Sequence, residues 1–321
     1  MCFSAKVWAD YRLYTKKFGA RIDIHEFIRL LEQRIDGAKL SIPKNVTDAF
    51  KSEPQNAEER HCRDLIVQYE SSEIPILEEQ LFVQRRRLAD AERQLATKAT
   101  KKATEDKRIA DNKIGWLAAK LNELSAPPRQ DAEARIFPGA FCPVMVMDKS
   151  GDYLIKPMRY QCRPAGKPAA FDHKYPGTYN ARRDSLRGYW QAQFGSSHAM
   201  VVASAFYENV NRHRLEGREL ASGEEPDNVI LQFSPGDGQL MQIACLWSHW
   251  TGPNQADLLS FAAITDEPPA EVSAAGHDRC IVPLKSEHLA TWLAASSPSL
   301  DHYEAVLDDR ERPFYAHLKA A

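Results

Sequence analysis

The sequence predicts an α+β fold with a β-rich core and flanking helices, and two patterns predict it. Apolar stretches of strand length alternate with turn residues from about residue 134 onward, whereas residues 58–124 keep helical spacing. With 321 residues, 43% of them hydrophobic, the chain can bury a substantial core. We therefore expect a domain formed by residues 1–54 and 129–321, with a helical arm inserted at 55–128.

The first fifty residues contain one clear helical pattern. Ile24, Phe27, Ile28 and Leu31 share one face of a helix, and the segment 41–45 ends that unit.

The arm shows coiled-coil spacing. Residues 58–69 predict one helix, and Pro75 predicts a break before a second. Apolar residues at mostly 3-, 4- and 7-residue steps then form a seam, which consists of Leu77, Leu81, Leu88 and Leu95 and resumes with Ile109, Ile114, Leu117 and Leu121. The pattern is compatible with one long helix or with a hairpin that turns near residue 100.

Charge is distributed unevenly along the chain. Between residues 81 and 120, eleven Lys and Arg outnumber five Asp and Glu, although the whole chain has a net charge of −2. The overall charge excludes a uniformly basic nucleic-acid-binding protein. The basic arm is either a solvated helix face or a surface that contacts DNA or a protein partner.

The C-terminal half predicts a series of strands joined by short turns. Residues 140–147 and 153–155 form a hairpin around an Asp-Lys-Ser-Gly-Asp turn. Further strands are expected at 198–206, 229–233, 241–247 and 258–265, followed by an amphipathic helix at 284–295. This half is therefore β-rich.

Cysteine usage and the N-terminus bound the setting. The six cysteines are widely scattered, and none has the spacing of a metal site, so we expect no metal and no cofactor. The start lacks an apolar signal region and no stretch is long enough to span a membrane, which favours a cytoplasmic protein without a membrane partner.

Cys2 is the most informative single residue. Removal of Met1 would leave a thiol and an α-amine on neighbouring carbons, and both are nucleophiles near neutral pH. Such an aminothiol can attack an acyl carbon or trap an aldehyde as a thiazolidine ring. The alternative is that Cys2 is an ordinary small residue at a frayed terminus.

Three later segments carry groups suited to catalysis. Asn180 and Arg182 follow a Pro-Gly turn and are expected in a loop, and Glu208 is expected where a core strand ends. His277 lies in a His-Asp-Arg-Cys segment that leads into another apolar stretch. Taken singly, each has an ordinary alternative: a turn residue, a surface charge, or a loop histidine that only forms hydrogen bonds.

Together with Cys2, these segments resemble the SOS response-associated peptidase (SRAP) domain family. That family begins Met-Cys-Gly-Arg and carries Asn-Ala-Arg-x-Glu, an aromatic-aromatic-Glu-Trp strand end and His-x-Arg-Met-Pro, in this order. The counterparts here are Met1-Cys2-Phe3-Ser4, Asn180-Ala181-Arg182-Arg183-Asp184, Phe206-Tyr207-Glu208-Asn209 and His277-Asp278-Arg279-Cys280-Ile281. Phe137-Pro138-Gly139 resembles the family's Ala-Pro-Gly, and the likeness covers residues 1–15 and roughly 135–300. The resemblance implies barrel-like antiparallel sheets.

The departures from these motifs concern the groups that would position DNA. Phe3-Ser4 replaces Gly-Arg, which removes one arginine near Cys2, and Asp184 replaces a glutamate. Asn209 and Cys280-Ile281 also differ from the family pattern.

The resemblance implies a covalent crosslink between processed Cys2 and the aldehyde of an abasic site in single-stranded DNA. Asn180, Glu208 and His277 would be the other catalytic residues, the same residues could release Met1 in cis or act as a lyase, and no cofactor is implied. The residues expected to contact DNA are Arg163, Lys174, Arg182, Arg183, Arg187, Trp190 and Arg279, and three tyrosines among them, Tyr175, Tyr179 and Tyr189, could stack on bases.

Two other classes of protein remain open. An N-terminal-nucleophile amidohydrolase, such as a glutamine amidotransferase, would also use Cys2, with its α-amine as the base. An Asn-Gly-Asp oxyanion segment, usual in that class, is absent from the sequence. A non-enzymatic adaptor built on the helical arm would leave Cys2 dispensable.

Overall fold

A computed structural model describes residues 3–128, 132–253, 255–295 and 299–320. Cys2 therefore lies outside the described residues. The chain divides into two compact units. The first comprises residues 1–27, 40–49 and 131–321, and the second comprises residues 28–39 and 50–130.

Strands are concentrated in the first unit and long helices in the second. The strands are β1 (Ser4–Trp8), β2 (Arg21–Ile22), β3 (Glu133–Ile136), β4 (Phe141–Met147), β5 (Tyr153–Tyr160), β6 (Asn180–Arg182), β7 (His198–Asn211), β8 (Asn228–Pro235), β9 (Met241–Gly252), β10 (Gln255–Asp266), β11 (Cys280–Ile281), β12 (Pro283–Leu284) and β13 (Tyr315–Lys319). The helices are α1 (Tyr11–Phe18), α2 (Ile24–Ile35), α3 (Lys44–Lys51), α4 (Ala57–Thr97), α5 (Lys101–Ser125), α6 (Phe171–Lys174), α7 (Arg212–Leu215), α8 (Ala270–Ala274), α9 (Leu289–Ala294) and α10 (Leu300–Asp308). Within the described ranges, no helix is both long and apolar enough to cross a membrane.

Five strands pair in a closed cycle. β7 pairs with β9, β9 with β10, β10 with β5, β5 with β4, and β4 with β7. Most pairs are antiparallel, but β10 runs parallel to β5 and β6, and β2 runs parallel to β5. The α+β prediction with a β-rich core is confirmed, and the parallel pairs are a feature that the sequence did not indicate.

The core of the first unit lies between these strands. Apolar side chains of the paired strands form one buried cluster, in which the rings of Phe206 and Phe233 stack 5.1 Å apart. β4 is buried along nearly its whole length, as expected for a strand covered on both faces. This packing fixes the strand ends that carry the candidate site.

β1 brings the start of the described chain to β7. It lies between β3 and β7, and in its register Ser4 is opposite Tyr207 and Ala5 is opposite Phe206. The first residues of the chain therefore lie beside the segment of β7 that contains Glu208.

The second unit contains a helical hairpin. Asn56 and Thr100 cap α4 and α5 through their side chains, and only residues 98–100 join the two helices. Leu77, Leu117 and Leu124 are buried in the seam between them. The hairpin alternative is thus the one that the structure adopts.

The predicted break at Pro75 is wrong. α4 continues through Pro75, which removes one backbone hydrogen bond but not the packing on either side. Ile74, Leu77 and Leu81 contribute to the apolar seam with α5, and this burial offsets the lost bond.

Three other local predictions need correction. Residues 180–182 form the short strand β6, because they pair with β10, rather than a loop. Glu208 lies inside β7, not at its end, since β8 pairs with β7 as far as Asn211. The helix expected at 284–295 begins only at Leu289, because residues 283–284 pair with β9 as a strand.

Candidate functional site

A buried pair of ionisable side chains lies on β7 and the segment before β11. His277 Nε2 is 3.0 Å from Glu208 Oε2, and their side chains are 7% and 0% exposed. The two residues are 69 positions apart in sequence, so the fold alone brings them together. A carboxylate in contact with an imidazole at low solvent exposure is suited to proton transfer.

The second ring nitrogen of His277 faces the backbone of its own segment. Nδ1 is 3.0 Å from the carbonyl oxygen of Arg279 and 3.3 Å from the amide nitrogen of the same residue. A protonated Nδ1 donates to the carbonyl, and a neutral Nδ1 accepts from the amide. The backbone therefore offers a partner to both protonation states of His277.

Asn180 lies on β6, close to the first described residues of the chain. Its side chain is buried, and neither amide atom has a hydrogen-bond partner among the residues that the structure describes. Tyr179, the residue before it, contacts the ring of Phe3 with centroids 6.3 Å apart. A buried amide without a partner is costly, so this one is available to a group that the described residues do not supply.

A cleft of about 270 Å³ adjoins this region. Arg182 and Arg279 both line it, so β6 and the segment after His277 border the same space. Three arginines and four acidic residues line the cleft: Arg182, Arg183, Arg279, Asp184, Asp266, Glu267 and Asp278.

The arginines of the cleft are paired with acidic residues. Arg182 lies 2.5 Å from Asp184, Arg183 lies 3.1 Å from Asp266, and Arg279 lies 3.6 Å from Asp278. Burial alone would raise the pKa of Asp266, but hydrogen bonds from Arg310, the backbone and Arg183 hold that pKa below its usual range. Since the acids already balance the arginines, the cleft is not the strongly basic surface that the sequence predicted.

The remaining residues predicted to contact DNA differ in accessibility. Lys174 is exposed, and Arg187 is half exposed and pairs with Glu304 at 2.6 Å and with Asp301. Arg163 is buried, pairs with Asp172 and lies over the ring of Trp250. Trp190 is buried in the domain, so its ring offers no free face for stacking.

Two of the tyrosines among these residues remain accessible. Tyr175 and Tyr189 are exposed, whereas Tyr179 is buried and packs on Tyr160. Only the first two retain the exposure that base stacking requires.

The cysteines at positions 62, 142, 162, 245 and 280 are all buried free thiols. Burial raises the pKa of Cys62, Cys162 and Cys280 to about 12, and it raises the pKa of Cys142 and Cys245 as well. At neutral pH these side chains are thiols rather than nucleophilic thiolates. None of the five is therefore poised to react.

The sequence interpretation missed Arg135 and Phe137. Arg135 Nε donates to Ser4 Oγ at 3.1 Å, and the Phe137 ring meets the Phe3 ring with centroids 5.7 Å apart. Both residues approach the first described residues of the chain. The signal in the sequence was their alternation with buried Ala134 and Ile136 along a strand, which turns both toward one face.

One group of side chains in the described part of the chain has metal-ligand geometry. Ligand atoms of Glu287, His288 and Asp309 lie within 4.8 Å of one another. Asp309 is already paired with Lys285 at 2.5 Å and with His288 at 2.8 Å. None of the residues predicted for catalysis belongs to this group.

The cations of the helical arm divide into two sets. Within residues 81–120, several are paired with acids, for example Arg87 with Asp106 at 2.5 Å and Lys107 with Glu92 at 3.0 Å. Those without an acidic partner among the described residues are Arg85, Arg86, Lys98, Lys101, Lys102 and Lys113. The positive charge of the arm is thus concentrated on a subset that includes the hairpin turn.

Comparison with known proteins identifies one family. The model of the family described as SOS response associated peptidase (SRAP) matches residues 93–318. The match includes all of α5 and the segments that carry Asn180, Glu208 and His277, and it begins after Cys2 and β1. No curated protein matches the chain.

Several solved structures are similar at low identity. A protein from Bordetella bronchiseptica has 17% identity and a TM-score of 0.45, covering 59% of this chain and 87% of that chain. A protein from Bacteroides thetaiotaomicron has 13% identity and a TM-score of 0.47, covering 63% and 82%. A phage-related protein from Bordetella bronchiseptica has 17% identity and a TM-score of 0.45, covering 61% and 85%.

Proposed function

Since this chain belongs to the SRAP family, which is associated with the SOS response to DNA damage, we propose that it crosslinks covalently to abasic sites in single-stranded DNA through Cys2. The proposal needs Met1 to be removed, so that the α-amine and the thiol of Cys2 are both free. The abasic sugar supplies the aldehyde when its ring opens.

The reaction takes two steps. The α-amine of Cys2 adds to the aldehyde carbon, and loss of one water gives an imine. The Cys2 thiol then adds to the imine carbon while its proton passes to the nitrogen, which closes a thiazolidine. The net reaction joins an aldehyde and an aminothiol with loss of water, and ring closure makes the bond durable where an imine would hydrolyse.

Glu208 and His277 are suited to the proton transfers. Opening the sugar ring requires a proton on the departing ring oxygen, and the amine must lose a proton as it adds. His277 can take or release a proton because its Nδ1 has a backbone partner in both states, and Glu208 can stabilise the imidazolium at 3.0 Å. The same pair could assist release of Met1 or a lyase step.

Asn180 and the cleft would hold the reacting strand. The buried amide of Asn180 can hydrogen-bond the Cys2 backbone or the sugar. Arg182 and Arg279 can bind flanking phosphates, but each must first share or leave its acidic partner. We therefore expect modest affinity for undamaged DNA, with specificity that depends on the covalent step.

The single observation that carries the proposal is the buried Glu208–His277 pair beside the strand on which β1 lies. The inert state of the five described cysteines supports Cys2 as the nucleophile, since no other cysteine has an accessible thiolate. Exposed Lys174 and the unpaired cations of the arm are further candidates for contact with DNA.

Incubation of Met1-processed protein with an abasic single-stranded oligonucleotide tests the proposal. We expect an adduct that survives denaturation, and intact mass should equal the sum of protein and DNA minus one water. Cys2→Ser should give at most an imine that requires borohydride for recovery. A full yield of stable adduct from Cys2→Ser, or active protein that retains Met1, would refute the mechanism. Glutaminase activity without adduct would instead support an N-terminal amidohydrolase.

A further inference from the structure

An unbroken series of ring and guanidinium contacts runs beside the candidate site. The Arg135 guanidinium lies 3.7 Å from the centre of the Tyr207 ring and 4.9 Å from that of Phe137. Phe137 contacts Phe3 at 5.7 Å, and Phe3 contacts Tyr179 at 6.3 Å. We refer to Phe3, Arg135 and Phe137 as the aromatic step.

The two ends of this series adjoin the candidate catalytic residues. Tyr207 precedes Glu208 on β7, and Tyr179 precedes Asn180 on β6. The aromatic step therefore spans the edge of the site between two of its strands, and a DNA strand entering the site would pass close to it.

The aromatic step is open to solvent although its neighbours are buried. Phe3 is 41% exposed and Phe137 is 42% exposed, whereas Tyr179 and Tyr207 are each 7% exposed. Two adjacent aromatic rings left this open are unusual beside a packed sheet edge. They offer flat apolar surface to a ligand with a flat apolar face.

Arg135 adds a charge that the protein leaves uncompensated. Its Nε donates to Ser4 Oγ, which fixes the guanidinium in place. No acidic side chain in the described ranges pairs with it, unlike the three arginines of the neighbouring cleft. A fixed guanidinium over aromatic rings can bind a phosphate or stack on a base.

We propose that the aromatic step is a nucleotide subsite, in which Phe3 and Phe137 stack on the base next to the abasic sugar and Arg135 binds its phosphate. This inference rests on the proposed function, because it takes single-stranded DNA as the ligand. Ring faces plus one unpaired cation match the base and phosphate of a single nucleotide. The two rings stand where the quoted SRAP motifs have glycine and alanine, so the subsite is a property of this chain.

Binding of full-length protein to an oligonucleotide with a tetrahydrofuran abasic analogue tests the subsite. The analogue has no aldehyde, so affinity is measured without crosslinking. Phe137→Leu keeps apolar packing but removes the π-face, and it should weaken binding by about fivefold or more. The loss should disappear on an oligonucleotide whose flanking nucleotides also lack bases. Phe314→Leu, at an exposed phenylalanine outside the aromatic step, is the matched control and should bind as wild type.

Arg135→Gln tests the phosphate contact separately. The slope of log affinity against log salt should fall by about 0.7, the value for one single-strand phosphate contact. Unchanged affinity in Phe137→Leu, or an equal loss with and without flanking bases, would overturn the stacking role. An unchanged slope in Arg135→Gln would overturn the phosphate contact. If wild-type protein forms adducts while both variants behave as wild type, only the subsite fails; if wild type neither binds nor forms adducts, the proposed function fails too.

Discussion

His198 gives a quantitative prediction about stability and pH. Its ring is buried on β7, stacked 3.8 Å from the Trp292 ring and 4.6 Å from the Tyr303 ring. The amide of Gly195 donates to Nε2 at 2.8 Å, so Nε2 carries no proton. Nδ1 then donates to the Trp292 carbonyl oxygen at 2.8 Å, which holds the neutral form of the ring.

The cost of protonating this ring follows from its pKa. Burial lowers the pKa of His198 from 6.5 to about 4, and the hydrogen bond to the Trp292 carbonyl opposes this only in part. Because the folded pKa is depressed, the unfolded chain takes up the proton first as pH falls. The stability that His198 contributes is therefore present above pH 6.5 and is lost as pH falls toward 4. At 1.36 kcal/mol per pKa unit, the loss is about 2 kcal/mol between pH 7 and pH 5.

Urea unfolding of wild type and His198→Gln at pH 7 and pH 5 measures this effect. The wild-type free energy of unfolding should fall by about 2 kcal/mol more than that of His198→Gln over this interval. His302→Gln, at an exposed histidine, should keep the wild-type dependence on pH. Equal dependence in wild type and His198→Gln would show that the ring is not held neutral, and the reasoning would be refuted.

The other predictions concern the site and the arm. Glu208→Gln and His277→Gln should each slow adduct formation by about 10²- to 10⁴-fold without loss of fold, with exposed Glu225→Gln as control, and rates within about twofold of wild type would remove them from the mechanism. Leu117→Ala should destabilise the hairpin by about 2–5 kcal/mol, seen as faster amide exchange in α4 and α5, and unchanged exchange would contradict the buried seam. Replacing residues 55–128 with a short linker should leave adduct formation on short oligonucleotides unchanged but flatten the salt dependence on long ones by about 0.7 per lost contact, and identical slopes would assign the arm's cations to solvent.

The arm deletion is feasible because the flanking segments meet within the first unit. Asn45 Nδ2 donates to the carbonyl oxygen of Glu133 at 2.7 Å, so the chain leaves and re-enters this unit at neighbouring points. A short loop can close such a gap, since the entropy of loop closure rises only slowly with length.

The sequence by itself determined the local structure and the order of the motifs. Period-two and apolar stretches predicted β4, β5, β7, β8, β9 and β10, and the leucine steps predicted α4 and α5 with their seam. These features depend on neighbours within one element, which is why periodicity reveals them. The motif segments around Asn180, Glu208 and His277 likewise identified the family that the family model matches.

Only the tertiary structure decided which of those residues meet and which charges remain free. Glu208 and His277 come within 3.0 Å because β7 and the segment before β11 are packed together, a contact that no local pattern encodes. Pairing with distant acids neutralises Arg183 and Arg187, and burial withdraws Trp190, although all three read as surface residues in sequence. Arg135 shows the converse, because its guanidinium is left without an acid by strands that place it on aromatic rings. Charge and exposure depend on what lies across space, and sequence spacing carries little of that information.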